Sequence, residues 1–347
     1  MSNMRIVGVI IGFIGVISAF FFYRGKRWNR LSFLSLFSLG VFLIIVSVNP
    51  NVVGILRDML ALKKAAYSRI ISLLILSNGI LWFYAIYFKS NLDELRFRFD
   101  KMIRKLGLLQ AQRTSDVGTK MRPIMVLIPA FNEAENLKEL LPRIPKKIAG
   151  TEIGVLVIND GSEDDTAAVA KDNGVGVIDS IVHRGGGAAL RIGYDIIGES
   201  DCKICVTMDA DGQHLPEEMK NLIRPIMEQR YDFVIGSRIL GQRERDNRIR
   251  IIGLRIFNFL INSVLESKIT DCSSGYRAFK VDSLKKVLLR EDQYHTAEFI
   301  IDAVKKGYRI GEVPITMLKR KHGVSKKGRD INYGINFAKS FIKAWWR

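Results

Sequence analysis

Residues 205–219 read CVTMDADGQHLPEEM, an apolar run that stops at two acids one residue apart. In an extended chain alternate side chains share a face, so Asp209 and Asp211 could hold one cation between them. With Gln213 close by, the set offers hard oxygen ligands, which suit Mg2+ or Mn2+ and not a thiophilic metal. Such an ion fills much of its shell with water and phosphate, so a diphosphate is the expected ligand. The chemistry on offer is neutralisation of the charge that develops as a nucleoside diphosphate departs. A plain turn is the competing reading, because Asp and Gly are the residues that tight turns use.

Those acids need a scaffold, and from about Lys120 the sequence supplies one. IMVLIP (124–129), VLVIND (155–160), GVGVIDS and KICVTMDAD read as strands. They alternate with NEAENLKELLPRI, the TAAVAKDNG stretch and GGAALRIGYDIIG, which read as helices. Such alternation predicts a parallel sheet with helices on both faces. Ligands of these sheets sit beyond the carboxyl ends of the strands. PAFNE (129–133), INDGS (158–162) and DADGQ (209–213) all fall at such ends. That convergence favours a site over three unrelated turns.

The ordered motifs PAFNEAENL, VINDGSEDDT, GGGAALRIGY, MDADGQHLP, GSR (236–238), DCSSGYRAF (271–279) and RKHGVSK (320–326) resemble a known family. It is that of the inverting family 2 glycosyltransferases with the GT-A fold, above all the dolichyl- and polyprenyl-phosphate hexosyltransferases. The resemblance covers residues 122–328 and implies an α/β nucleotide-diphospho-sugar transferase domain with a Rossmann-like mixed sheet. It implies that Pro129, Phe131, Glu133, Ile158 and Asp160 line a nucleoside pocket. Asp209, Ala210, Asp211 and Gln213 would hold metal and donor diphosphate. Arg238 would reach donor or acceptor phosphates, while Arg320 and Lys326 would close over the diphosphate. A guanidinium offers phosphate a planar fork and an ammonium a point charge, which suits these roles. Either Arg248 or Arg250 would be the counterpart of the family's lipid-phosphate arginine.

This sequence departs from the family pattern at Asn159, Phe131, His183 and Gly186, where Asp, Tyr, Asn and Lys are usual. The glycine run 185–187 is no P-loop, since no Gly-Lys-Ser/Thr follows, and is expected to open a helix. Glu298 and Asp271 are the candidate general bases, each equally able to be structural. A lipid phosphate needs no base, because its second ionisation lies near pH ~6.

The remaining elements concern the membrane. Ile6–Tyr23, Leu31–Leu56 and Ile70–Phe88 carry no charge, and each reaches the roughly 18–20 residues of a membrane-spanning helix. They predict spans at about 5–23, 31–48 and 70–88 in a transmembrane domain over 1–112. A linker (113–121), the catalytic domain (122–328) and a carboxyl-terminal interface helix (329–347) ending in paired Trp follow. Arg24, Lys26, Arg27 and Arg30 between the first two spans place that loop, and hence the catalytic domain, in the cytoplasm. Arg57, Lys63, Lys64 and Arg69 run against this rule, on the side expected outside. RIRIIGLRIFNFLINSVL (248–265) has the pattern of a helix lying on a membrane surface.

Of the net charge of +18, residues 1–112 hold +11 (15 Lys and Arg against 4 acids), which favours anionic lipid head groups. No nucleic-acid motif accompanies it, so nucleic acid is not an expected partner. Cys202, Cys205 and Cys272 form no even disulfide framework and are expected in the core. The combined expectation is a metal-dependent transferase that moves one sugar from a GDP- or UDP-sugar to dolichyl or polyprenyl phosphate. The alternatives are a transferase extending a lipid-linked glycan and a non-catalytic nucleotide-sugar-binding subunit. The first would carry Gln-x-x-Arg-Trp, which is absent here, and the second would be expected to lose acids such as Asp211.

Overall fold

The computed structural model describes residues 3–24, 30–49, 52, 68–114, 117–118, 120–243, 257–259, 261–263, 268–287, 289–290, 295–323, 340 and 344–345. The chain separates into two units, Met1–Leu95 and Arg96–Arg347. In the first, helices α1 (Asn3–Arg24) and α2 (Arg30–Val48) pack together through glycine. A side-chain carbon on Gly12 would lie 2.8 Å from the Gly40 carbonyl oxygen, so the backbones meet where neither residue has a side chain. Phe20 closes the pair by edge contacts with Phe33 and Phe37, at 5.1 and 5.7 Å between centroids. Among the described residues no helix is long and apolar enough to cross a membrane.

Helix α3 runs from Ser68 to Arg113. The stretch expected as a third span is therefore the first part of a longer helix, and the unit boundary falls at Leu95 where the sequence suggested residue 112. Residues 96–113 join the larger unit by packing Ile103, Leu108 and Ala111 on its core and through ion pairs. Asp100, only 8% exposed, accepts from Arg191 at 2.7 Å and pairs with Arg184 at 2.8 Å, while Arg104 grips Asp195.

The larger unit is a mixed sheet with the described strands in the order β2-β3-β1-β5-β7-β6-β8, with β4 also paired to β3. The strands are β1 (Ile124–Ala130), β2 (Lys147–Ile148), β3 (Thr151–Asp160), β4 (Gly176–Ser180), β5 (Ile204–Thr207), β6 (Phe233–Arg243), β7 (Arg277–Lys280) and β8 (Ile310–Met317). β4, β3, β1 and β5 are mutually parallel, and their near-continuous Ile, Val and Leu content is what strands covered on both faces require. β7 runs antiparallel to β5 and β6, and β6 pairs β8 in parallel. Helices α4 (Ala134–Leu140), α5 (Thr166–Asp172), α6 (Gly186–Gly198), α7 (Met219–Met227), α8 (Val281–Leu284) and α9 (His295–Lys305) complete the described layers. Among the described residues three apolar clusters form the core, the smallest around Ile235, Cys272 and Ile300, and the two larger ones cover the sheet. Of these two, one joins Val126, Ile128 and Val206 to Leu137 and Leu222, the other joins Leu127, Ile158 and Cys205 to Ile192 and Phe299.

Candidate active site

Strand direction brings the motifs to one edge. β1, β3 and β5 end there, and because β7 is antiparallel, the residues that enter it (271–276) lie there too. Ser237 pairs with Pro314 in β6–β8, so Arg238 and the end of β8 reach the same edge. His214 bridges to Met317 across it.

On the β1–β3 side the loops are laced by short-range polar contacts. Asn132 N–H donates to Ser162 Oγ at 2.9 Å, Glu163 N–H to Asn132 Oδ1 at 2.8 Å, and Glu133 N–H to Thr166 Oγ1 at 2.9 Å. Asp160, at 3% exposure, accepts from the backbone N–H groups of Arg184 (3.1 and 3.2 Å) and Gly185 (2.6 Å). Gly185 holds φ +103°, a conformation side chains disfavour, and this turns its N–H toward the acid. Burial pushes the Asp160 carboxyl above its ordinary value despite these donors. His183 Nδ1 lies 3.0 Å from Asp160 Oδ2, and its ring stacks on Phe131 with centroids 3.7 Å apart. Two departures from the family pattern, His183 and Phe131, thus form one contact. A third, Asn159, donates to Asp179 Oδ1 at 2.6 Å, a bond that an Asp at 159 would replace with like-charge repulsion.

β5 ends at Thr207, and Ala210–Asp211 form a turn with Gly212 at φ +69°. Asp209 and Asp211 therefore do not alternate along an extended strand as expected, but both remain partly exposed at its end. Gln213 stays at the same turn: its backbone N–H donates to Asp211 Oδ1 at 3.2 Å, its Nε2 donates to the Leu318 carbonyl at 2.9 Å, and Leu318 N–H returns a bond to the Gln213 carbonyl at 2.9 Å. Gly275 lies against Asp209, where a side-chain carbon would come within 2.8 Å of Asp209 Oδ1. Among the described residues no group of three or more His, Cys, Asp or Glu could hold a metal. Two carboxylates nonetheless suit a hard divalent ion that takes its remaining ligands from water and a diphosphate.

Arg238 is already engaged. Its Nε and Nη2 donate to the two Asp271 oxygens, both at 2.6 Å, and Nη2 also reaches Ser273 Oγ at 2.6 Å. Asp271 is fully buried, so it acts as the fixed partner of Arg238 in place of a general base. Glu298, 1% exposed, accepts the Arg290 N–H at 3.0 and 2.9 Å, which is also a structural task. Arg320 pairs with Glu133 and donates to the His322 carbonyl at 2.9 Å, so residues 318–323 are tied to α4. Pro129 is half-buried, whereas Ile158 and Ala210 turn their side chains into the core. Arg248, Arg250 and Lys326 lie outside the described residues, as does most of the expected interface helices 248–265 and 329–347.

Sequence reasoning missed Arg277. At 4% exposure it donates to the carbonyls of Ser274 (2.7 Å), Cys272 (3.0 Å) and Thr296 (3.0 Å), setting the shape of the loop that carries Asp271 and Gly275. Burial lowers its guanidinium to about 10, which leaves it charged near neutral pH. The three thiols are free and buried. Burial raises Cys202 and Cys272 to about 12, in keeping with core packing.

Residues 125–288 match the family model for glycosyl transferase family 2. The chain is 34% identical over 214 residues to polyprenol monophosphomannose synthase of Mycolicibacterium smegmatis, covering 58% of this chain and 80% of that protein. It is 30% identical to UDP-N-acetylglucosamine--dolichyl-phosphate N-acetylglucosaminyltransferase of Methanococcus voltae, over 58% and 88% of the two chains. Among solved structures, glucosyl-3-phosphoglycerate synthase from Mycobacterium tuberculosis, in complex with Mn2+, UDP and glucosyl-3-phosphoglycerate, superposes with a TM-score of 0.53. It is 19% identical and covers 67% of this chain and 82% of that one, which establishes the shared GT-A fold. The fold and site define a GT-A glycosyltransferase. More narrowly, the chain belongs to glycosyl transferase family 2, with relatives named for transfer to polyprenyl or dolichyl phosphate.

Proposed function

We propose that this protein transfers a single hexose or N-acetylhexosamine, with inversion, from a nucleoside diphosphate sugar to polyprenyl or dolichyl phosphate. The observation that carries the reading is the retained Asp209-Ala210-Asp211 turn at the edge where the β1 and β3 loops and Arg238 converge. Relatives at 30–34% identity bear names of polyprenyl- and dolichyl-phosphate transferases, which supports the acceptor class.

The β1 and β3 loops would seat the nucleoside through Asp160, with Phe131 and His183 beside it. Asp209 and Asp211 would hold Mg2+ or Mn2+, which when bound supplies charge neutralisation to the diphosphate. A lipid phosphate oxygen forms the bond to the anomeric carbon from the opposite side as the bond to the nucleoside diphosphate breaks. The acceptor arrives mostly as its dianion, since its second ionisation lies near pH ~6, so no side chain has to remove a proton. This agrees with the structural employment of Asp271 and Glu298. Arg238, fixed by Asp271, presents its positive edge to phosphate, and Arg320 would leave Glu133 for the donor diphosphate.

The first unit is proposed as a membrane anchor with the catalytic unit in the cytoplasm. Ile14, Ile17 and Phe21 are 59, 64 and 72% exposed along α1, and Leu81 and Trp82 65 and 70% along α3. Apolar faces of this extent are poorly suited to water and well suited to lipid. Anchoring would raise the effective concentration of a lipid acceptor.

The test is the purified full chain in detergent with polyprenyl phosphate, Mg2+ and a panel of labelled GDP- and UDP-sugars. Lipid-linked product from at least one donor is expected. No product from any donor would sink the reading.

A further inference from the structure

We propose that Asp100 is a positioning residue for the nucleoside pocket, acting from the carboxyl-terminal part of α3 through Arg184. This rests on the reading of Asp160 as a nucleoside contact. The geometry is a chain of short contacts inside the larger unit. Asp100 Oδ1 lies 2.8 Å from Arg184 Nη1 and accepts from Arg191 Nη2 at 2.7 Å. Arg184 and its neighbour Gly185 in turn donate their backbone N–H groups to the Asp160 carboxylate.

Each member has reason to be held rather than loose. Arg191 is 2% exposed on α6, and its charge has Asp100 as a buried counter-ion. Arg184 is 12% exposed in the loop before α6, and its guanidinium also lies over the Phe99 ring at 5.9 Å. Burial acts against the Asp100 charge, yet the bonds from Arg191 and Arg184 outweigh it and hold the carboxyl below its ordinary value. The loop 183–185 must keep two N–H groups aimed at Asp160 while spanning from β4 to α6. Its one long side chain anchored in the protein interior is Arg184, and the anchor is Asp100.

A second ion pair on the same helix supplies the control. Asp195 on α6 accepts from Arg104 Nε at 2.6 Å, and because Arg104 Nη1 also lies 3.7 Å from Asp100 Oδ2, the variant that breaks this pair and leaves the charges around Asp100 in place is Asp195→Asn. If Asp100 served only to fix α3, loss of the Asp195 carboxylate would act in the same way.

The experiment measures steady-state kinetics with the donor sugar and polyprenyl phosphate varied in turn, together with melting temperature, for Asp100→Asn, Asp100→Glu, Arg184→Gln, Asp195→Asn and Asp160→Asn. Loss of a charge-assisted contact predicts a roughly tenfold rise in donor KM for Asp100→Asn, with kcat and lipid KM within twofold of the parent. Arg184→Gln leaves the Asp100–Arg191 pair in place, so it folds even if Asp100→Asn does not, and shows the same rise. Asp100→Glu recovers part of the donor affinity, while Asp195→Asn lowers the melting temperature and leaves donor KM unchanged. Parental donor KM in Arg184→Gln, beside a raised value in Asp160→Asn, overturns the proposal and leaves the pocket reading standing. Equal rises in Arg184→Gln and Asp195→Asn also overturn it. Parental donor KM in Asp160→Asn overturns the pocket reading itself, and the proposal with it.

Discussion

In the β4-β3-β1-β5 half of the sheet, the site's polar groups come from loops of a few residues directly after parallel strands. Backbone N–H groups hold many of them, as Arg184 and Gly185 donate theirs to Asp160 and Glu163 donates its own to Asn132 Oδ1. In the β7-β6-β8 half they depend on arginine side chains. Arg238 makes a two-point pair with the buried Asp271, and Arg277 gathers three carbonyls to shape residues 271–276. Backbone donors are present whatever the side chains, so the first half tolerates substitution of its chemical groups. A buried charge pair does not, because removing one member strands the other. The two halves should therefore answer mutation differently.

The largest expected effect comes from Asp211→Ala. Its side chain is partly exposed at a turn, so loss should fall on chemistry, with kcat down roughly a thousandfold if it helps to stabilise the departing diphosphate. Kinetics with Mg2+ and a melting curve check this. A melting temperature close to the parent is expected alongside the lost rate. Full activity would remove Asp211 from the metal site.

Arg238→Ala should fail on both counts. It leaves the fully buried Asp271 without the guanidinium that makes two of its contacts, while the backbone N–H of residue 238 remains, at a cost of about 3 kcal/mol in stability. The double replacement Arg238→Met with Asp271→Leu separates the two roles. Stability should return toward the parent because no buried charge is stranded, while transfer stays lost. A stable but inactive single mutant would show that the second half does not depend on its charge pair for stability.

How far the sequence foretold each half follows the same division. Strand, turn and helix in the parallel half are written in short periodic runs, so PAFNE, INDGS and DADGQ could be placed at strand ends from spacing alone. The pairing of Asp271 with Arg238 needs the direction of β7, which the four residues Arg-Ala-Phe-Lys do not disclose. Gln213 reads as a ligand because it stands beside two acids. Only the fold shows that the end of β8 claims its amide. Asp100 was hidden for a related reason: LDELRFRFDKMIRKLG reads as a basic flank of an apolar span, and nothing local marks one acid in it as the partner of Arg191.

Gly275→Ala sits where the halves meet and should produce a smaller effect. The added carbon would come within 2.8 Å of Asp209 Oδ1, and Asp209 must shift because Gly275 is fixed by the bond from Thr207 Oγ1 to its carbonyl at 2.8 Å. Overpacking of this kind costs about 1–3 kcal/mol. If Asp209 holds the cation, the cost appears as a roughly tenfold higher Mn2+ concentration for half-maximal rate, with the saturated rate less affected. An unchanged metal requirement would mean that Asp209 does not face the cation.

The smallest effect is expected at the opposite edge of the antiparallel half, away from the chemistry. Asp232, before β6, pairs with Lys280 at the end of β7 at 2.9 Å and with Arg309 Nε, before β8, at 3.2 Å, clamping the starts of β6 and β8 to the end of β7. Partial burial works against its charge, but the bonds from Arg309 and Lys280 prevail and bring the carboxyl from 3.8 down to about 2. A folded-state value below the unfolded one stabilises the fold above the unfolded value, and that stability is lost as pH falls through the window between the two. Asp232→Asn should therefore lower stability by a constant amount from neutral pH down to about 4, and the gap should then narrow as pH falls toward about 2. Denaturant unfolding of parent and variant across that range reads the gap directly. Donor and acceptor KM should stay at parental values throughout, because the clamp orders that opposite edge and not the edge where Arg238 and Asp271 meet.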